Sequence, residues 1–413
     1  MGRGFLKWLR ENSGKIVDSI AFYPALIAVM FLFLSWGMLE IDFSYWGKDI
    51  KQNLSWLTLK DASTARVIIS TVVGGIISLT VFSFSMVMIV LNQAASQMSN
   101  RILNSMIENR FQQVILGFYI GTIVYALFLL STIRDLNNGV NVPALSIYLL
   151  LLLTVGDIFL FIYFLDYVTQ TVKYDTVIQR VQTQTLKVMQ KRFCSSGEKT
   201  IDRKEMPFVE VESDVSGYFQ GFDTKQTLKI AEELDVLISF PCIQGTYLIK
   251  GSKAMVVYGR GEIDAETKKR LFFAIDFFTG QPIDRNPEYG FRHLAEVALK
   301  ALSPGINDPA TAVLAINSLS DLFAYRLNHC LPTVIFDKQN KPRVLLQVSS
   351  FERLFENCIF PIWHYGKSDR YVQNALLHML NQLTVIDTDK KQSVFFRKFI
   401  EEIVAESDKL KYN

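Results

Sequence analysis

One carboxylate stands alone in a long uncharged stretch of this 413-residue chain. No other charged side chain occurs between Asp135 and Asp166, and Asp157 lies well inside that stretch. An acid inside an apolar span is costly, so such residues face a partner or a water-filled cavity. Two interpretations of Asp157 stay open. It forms a proton or cation site, or hydroxyl groups and water satisfy it without further function.

Small and hydroxyl-bearing residues interrupt the second long apolar stretch and recur close to one helical face. Phe82 adds an apolar constriction, and Asn92 begins an uncharged, amide-rich extension. Either this face lines a pore, or its small residues let membrane helices pack closely. The candidate pore-lining residues are Thr71, Gly74, Gly75, Ser78, Phe82, Ser85 and Asn92.

A third candidate region joins two predicted helices in the second half of the chain. Ser303-Pro304-Gly305 is expected to end the first helix, because Pro cannot continue it and Gly suits a left-handed cap. Asp308 is expected to cap the next helix, with Pro309 at its first position. The turn is either purely structural or an anion site at a helix N-terminus. The candidate ligand-binding residues are Arg292, His293, Ser303, Asn307, Asp308 and Thr311.

This region also carries a resemblance to a known family. The segment Asp284–Ala312 contains the run Leu-Ser-Pro-Gly-Ile-Asn-Asp-Pro, and Gly217-Tyr218-Phe219-Gln220 and Ala94-Ala95-Ser96-Gln97 add to the likeness. Together they resemble a bacterial family of predicted membrane proteins, domain of unknown function 2254. The resemblance covers most of the chain and implies four membrane spans and a cytoplasmic C-terminal domain. It implies no activity.

Four long apolar stretches must position the intramembrane candidates. Half of all residues are hydrophobic, and uncharged runs of about 20 residues are typical of transmembrane helices. The sequence predicts an α-helical membrane domain over residues 20–168 that contacts the lipid bilayer. Its spans are predicted at about 20–39, 67–91, 112–133 and 143–165.

The distribution of Lys and Arg predicts how the spans are oriented. Basic residues concentrate in the first 19 residues, between the second and third spans, and after the fourth span. By the positive-inside rule these segments face the cytoplasm. We therefore expect a protein of the bacterial cytoplasmic (inner) membrane with both termini in the cytoplasm. Residues 1–19 form a basic amphipathic segment that is able to rest on the inner leaflet.

The second half of the chain predicts a cytoplasmic α+β region. Residues 169–205 read as a helical stalk and linker, whose apolar seam must meet its own C-terminal domain or a neighbouring subunit. Residues 206–261 predict a small β-barrel or sandwich of four to six strands. Residues 262–413 predict a mainly helical domain.

Composition and motifs exclude several classes of function. The net charge of +3 and the scattered cations argue against nucleic acid. The four cysteines are far apart, no metal motif occurs, and no cofactor or catalytic motif is found. The sequence favours a homo-oligomeric channel or pore-like protein that passes an ion. The alternative is a membrane-anchored sensor or scaffold whose cytoplasmic domain binds a small cytosolic ligand or a protein partner.

Overall fold

The computed structural model describes residues 21–53, 61–97, 110–133, 142–171, 173–193, 201, 206–277 and 280–409. The basic segment of residues 1–19 lies outside the described residues. The chain divides between Lys173 and Tyr174 into two compact units. We call the first the membrane unit and the second the C-terminal unit.

The membrane unit is helical throughout its described residues. Its helices are α1 (Phe22–Phe43), α2 (Tyr45–Asn53), α3 (Ala62–Gln97), α4 (Arg110–Thr132) and α5 (Ala144–Thr171). In the part of the chain that the structure describes, four segments are long and apolar enough to cross a membrane: Phe22–Phe43, Ala62–Val90, Phe111–Thr132 and Ala144–Gln170. The four apolar spans expected from the sequence are therefore confirmed.

Close packing inside the membrane unit depends on two glycines of α4. A Cβ atom at Gly117 would lie 2.5 Å from Ile27 Cδ1, and one at Gly121 would lie 2.7 Å from Cγ of Phe31. Any larger residue at these positions would push α1 away from α4. Small residues thus bring these two apolar helices together, as is common in membranes.

A buried acid ties the end of α1 to the start of α5. Asp42 is fully buried and accepts hydrogen bonds from the Ser146 amide at 2.7 Å, the Ser146 hydroxyl at 2.7 Å and the Leu145 amide at 3.3 Å. The first amides of a helix have no partner within the helix, so a carboxylate from another helix can satisfy them. Tyr125 on α4 also donates to the Ser146 carbonyl, at 3.0 Å.

The C-terminal unit opens with an amphipathic helix. Helix α6 (Tyr174–Arg192) buries Val177, Val181, Thr185 and Met189 among other residues. It packs against two later helices of the same unit, Glu288–Ala301 and Pro309–Asn328. The apolar seam predicted for the stalk therefore meets the protein's own C-terminal unit.

Seven further helices follow within the described part of this unit. They are α7 (Thr224–Leu234), α8 (Ala265–Phe273), α9 (Glu288–Ala301), α10 (Pro309–Asn328), α11 (Phe351–Gly366), α12 (Arg370–Ile386) and α13 (Ser393–Lys409). Four of them begin with an aspartate whose side chain accepts amide hydrogen bonds of the first turn: Asp223, Asp264, Asp308 and Asp369.

Eight strands form two sheets. They are β1 (Phe208–Glu212), β2 (Gly217–Phe222), β3 (Leu237–Phe240), β4 (Tyr247–Leu248), β5 (Lys253–Tyr258), β6 (Ile275–Phe277), β7 (Val334–Phe336) and β8 (Pro342–Leu346), all within the described residues. The larger sheet has the order β1-β5-β3-β8-β7, and the smaller has the order β4-β2-β6. All pairs are antiparallel except β3 with β8, where Ile238 lies opposite Val344.

The barrel expected from residues 206–261 is wrong. Both sheets are open, because β1 and β7 end the larger one and β4 and β6 end the smaller one. A closed barrel would need its first and last strands to pair. Instead, the larger sheet extends sideways onto a hairpin from residues 334–346, and α7 covers it with Ile230 and Ala231.

Candidate ligand-binding site

The seven candidate pore-lining residues lie on the exposed side of α3. All seven are exposed, whereas Ala65, Ile69 and Ile76 of the same helix are buried. A Cβ atom added at Gly74 or Gly75 would meet no atom within 4 Å. Around these two glycines the face makes no close helix contact within the described chain, whereas the Phe82 ring packs edge-on against Phe161 of α5, with 5.7 Å between the ring centroids. Lining of a pore and packing against another chain both stay predictions.

The hydroxyl groups of that face bond to their own helix. Ser78 Oγ donates to the Gly74 carbonyl at 2.9 Å, and Ser85 Oγ donates to the Val81 carbonyl at 2.8 Å. In each of these bonds the hydroxyl proton points to a carbonyl of the same helix. Only the lone pairs of the hydroxyl oxygen then remain available to groups outside the helix.

Asp157 lies at the midpoint of the fourth apolar span, thirteen residues from each end of Ala144–Gln170. Its side chain is only 2% exposed. Thr122 lies beside the Asp157 carboxyl group, and the Tyr119 hydroxyl is close enough to interact with it electrostatically. The acid therefore faces the interior of the membrane unit.

The predicted turn between α9 and α10 is largely satisfied by its own atoms. Asp308 accepts from the Thr311 amide at 3.1 Å and from the Thr311 hydroxyl at 2.6 Å. Ser303 accepts from the Asn307 amide at 2.9 Å and donates its hydroxyl to the Lys300 carbonyl at 2.6 Å. The expected cap at Asp308 is confirmed, and it accounts for this part of the motif without a ligand.

The structure places Arg292 and His293 elsewhere on α9. Arg292 lies over the ring of Tyr289 at 5.7 Å and near Glu288, and His293 is 5% exposed. These two candidates thus belong to the packed interior around α9, while Ser303, Asn307, Asp308 and Thr311 form the turn at its far end.

A cavity of about 520 Å³ lies in the C-terminal unit, where the smaller sheet meets β7 and β8. Sites for small molecules usually have volumes of about 300–1,000 Å³. Its wall mixes aromatic, amide and charged side chains. The lining includes Arg192, Phe219, Gln220, Phe222, Gln244, Asp276, Arg285 and Gln347.

Two glutamines build one wall of the cavity, and the first turn of α9 and the segment before it hold them. Tyr289 donates its hydroxyl to Gln220 Oε1 at 2.9 Å, and Asn286 Nδ2 donates to the Gln244 carbonyl at 3.2 Å. Gln244 Nε2 donates to the Gln220 carbonyl at 2.6 Å and to the Arg285 carbonyl at 2.9 Å. Burial raises the pKa of Tyr289, which keeps its hydroxyl protonated as a donor.

Glycine is required at one corner of this wall. Gly245 has φ +92°, and an added Cβ atom would lie 2.9 Å from the Tyr289 hydroxyl. A side chain there would be strained and would also displace the hydroxyl that holds Gln220.

Two arginine side chains and one carboxylate line the rim of the cavity. Arg285 Nη1 donates to Asp276 Oδ2 at 2.9 Å, and Arg192 donates to the Arg285 carbonyl. The pKa of Arg192 is lowered, because the surrounding chain desolvates its guanidinium and the charge of Arg285 opposes it, although Asp284 acts in the other direction. Two guanidinium groups against one lining carboxylate, Asp276, suit an anionic group.

The lining offers no nitrogen–sulfur set for a metal. Within the described ranges, no three His, Cys, Asp or Glu side chains are grouped as a zinc or transition-metal site requires.

The sequence reasoning missed Arg192, Gln220, Gln244 and Arg285 as site residues. A signal was present, since Gln220 ends the Gly217–Gln220 segment and Arg285 lies near the start of Asp284–Ala312. These two segments carried the family resemblance, and the structure brings them together at one cavity.

A family model of predicted membrane proteins, DUF2254, matches residues 17–382. The chain belongs to this family. Uncharacterized proteins of Mycobacterium bovis and Mycobacterium tuberculosis are similar to it, with 25% identity over 351 residues. The match covers 81% of this chain and 66% of each relative, so this chain spans just under two thirds of their length. No solved structure matches.

Proposed function

We propose that this member of the DUF2254 family is a membrane-anchored receptor that binds a small organic anion in the cavity of its C-terminal unit. The observation that carries the proposal is the pair of guanidinium groups, Arg192 and Arg285, at the rim of a cavity of about 520 Å³. The apolar helices of the membrane unit supply the anchor.

The lining suggests what kind of anion fits. Guanidinium groups bind carboxylate or phosphate with two parallel hydrogen bonds. Phe219 and Phe222 contribute apolar surface, and Gln347 adds an amide. A ligand with one anionic end and one flat or apolar end therefore matches the cavity better than a bare inorganic ion.

The receptor proposal is tested by ligand-dependent thermal stability of the full chain in detergent. The probes are AMP, citrate, benzoate and inorganic phosphate at matched ionic strength. We expect at least one organic anion to raise the unfolding temperature saturably, and Arg285→Ala to weaken its apparent affinity at least tenfold.

Arg270→Ala is the matched control. Arg270 also forms an ion pair with a half-exposed acid, Glu233, at 2.6 Å, but it lies away from the cavity. Equal loss of ligand response in both variants would count against the cavity, as would a response to phosphate alone that survives Arg285→Ala.

The orientation that this function needs is also a proposal. With both termini in the cytoplasm of a bacterial cell, the cavity would sample cytosolic metabolites. Alkaline phosphatase fused after residue 413 should be inactive in cells, and green fluorescent protein at the same place should fluoresce. An active phosphatase fusion would turn the ligand into an extracytoplasmic one.

The exposed face of α3 favours a second candidate function, a homo-oligomeric pore. A Cβ atom added at Gly74 or Gly75 would meet no atom within 4 Å, and Ser78 and Ser85 bond to carbonyls of their own helix, so a ring of identical α3 helices would line a polar path. The test is oligomeric mass in detergent together with single-channel recording in bilayers. Thiol labelling should block the current in Ser78→Cys and leave it unchanged in Ser131→Cys, a control at an exposed residue of α4. A monomeric mass without current would remove this candidate.

A further inference from the structure

Three buried oxygen atoms in the membrane unit lie together and make no hydrogen bond to any described residue. They are Ser83 Oγ on α3, Tyr119 Oη on α4 and Asp157 Oδ2 on α5. Their side chains are 1%, 0% and 2% exposed. A buried polar atom without a partner costs free energy, so three in one place need an explanation.

These three residues form one cluster and share a fourth neighbour. Ser83 lies beside the Tyr119 hydroxyl, which in turn lies within electrostatic range of Asp157. Thr122 lies beside the Asp157 carboxyl group and donates its own proton to the Phe118 carbonyl at 3.0 Å. The lone pairs of Thr122 therefore stay available to a ligand.

We propose that this cluster is a binding site for a single monovalent alkali cation, Na⁺ or K⁺. Every donor atom is an oxygen, the ligand type that hard cations prefer. One carboxylate balances one positive charge, whereas a divalent ion would leave a charge unpaired in an apolar setting. The side chains supply neither nitrogen nor sulfur, so a transition metal is not favoured.

A shared ion also explains why the oxygens approach one another without bonding. A proton on Asp157 would bridge only two of the oxygens directly. An ion placed among the oxygens contacts all of them. Because α3, α4 and α5 each contribute an oxygen ligand, the ion would hold three helices of the membrane unit together. This inference is independent of the cavity in the C-terminal unit.

The experiment uses the full chain in detergent, with N-methylglucamine chloride as the reference salt. Unfolding temperature is measured against NaCl and KCl at constant ionic strength, and binding of radioactive Na⁺ is counted by scintillation proximity. We expect saturable stabilisation by one of the two ions, with about one ion bound per chain. Asp157→Asn should abolish the effect.

Two conservative variants keep the test decisive if Asp157→Asn fails to fold. Tyr119→Phe and Ser83→Ala each remove one donor without altering charge, and each should weaken the apparent affinity at least tenfold. Asp166→Asn is the control, because that exposed acid on α5 accepts hydrogen bonds from Gln170 outside the cluster.

Three results would overturn the proposal. The first is equal stability in Na⁺, K⁺ and N-methylglucamine. The second is an ion effect that persists unchanged in Tyr119→Phe and Ser83→Ala. The third is stabilisation by acid alone that disappears in Asp157→Asn, which would assign the site to a proton.

Discussion

Gly290 provides a sharp test of how α6 and α9 pack. A Cβ atom added at Gly290 would lie 1.8 Å from Thr185 Oγ1 and 2.8 Å from both Thr185 Cβ and Cγ2. Thr185 is fully buried and donates its hydroxyl to the Val181 carbonyl at 2.6 Å. Rotating the threonine would not remove the contact with its Cβ atom. Gly290→Ala must therefore separate the two helices.

The expected cost follows from two opposing effects. Alanine in place of glycine within a helix lowers the free energy of folding by about 1 kcal/mol. Overpacking of a tight contact raises the free energy of folding by about 1–3 kcal/mol. The contact with Thr185 is so short that we expect a value near the upper limit of this range. We therefore expect a net loss of about 2 kcal/mol, or a decrease of roughly 4–8 °C in the unfolding temperature of a unit of this size.

The assay is thermal unfolding of the full chain in detergent, with hydrogen exchange of peptides from α6 and α9 to locate the change. Gly305→Ala is the control, since its added Cβ atom would meet nothing within 4 Å. Thr185→Gly removes all three clashing atoms. The double variant Gly290→Ala/Thr185→Gly should lose less unfolding free energy than the two single variants lose together, by about 1 kcal/mol or more. Unfolding of Gly290→Ala at or above the wild-type temperature would refute the reasoning.

Three further predictions concern other buried groups. Hydrogen bonds from the Lys341 amide and the Arg343 side chain lower the pKa of Asp337. The ionised carboxylate of Asp337 therefore stabilises the fold above about pH 4, and this stabilisation is lost as the pH falls through the lowered pKa. Asp337→Asn should consequently flatten the acid side of a plot of unfolding free energy against pH. Burial raises the pKa of the Cys358 thiol to about 12, so maleimide at pH 7.5 should label it only after unfolding, as peptide mass spectrometry would show. Asp42→Ala leaves the first amides of α5 without their cap and should cost about 1–2 kcal/mol, seen as a lower unfolding temperature, whereas an unchanged temperature would contradict the cap.

Local sequence signals predicted the helix boundaries well where one residue satisfies a helix end. Asp308 and Pro309 mark the start of α10, and the structure confirms both positions. The left-handed residue of the same turn was placed wrongly, at Gly305. Asn307 takes that conformation instead, with φ +49°. Asparagine tolerates the left-handed region because its side chain is short and polar, so composition alone did not separate the two positions.

Non-local pairing and the cavity were beyond local patterns. The short, fully buried run of β3 is typical of a strand, but nothing in it identifies β8 as a parallel neighbour about a hundred residues later. The cavity likewise takes Arg192, Gln220, Gln244 and Arg285 from separate segments. Periodicity reports which face of an element is apolar and not which distant element covers it.

The parallel pairing of β3 with β8 has a consequence for biosynthesis. Strand β3 is the middle strand of the larger sheet, yet one of its two neighbours is made only when the ribosome reaches Pro342. Until then β3 presents an unpaired edge of four buried residues, a surface prone to wrong association. A nascent chain truncated before Val344 would thus expose β3 as an unpaired, aggregation-prone strand, although its apolar helices have already been synthesised. Nonsense mutations in that interval should yield products that aggregate or are degraded, rather than shortened but folded proteins.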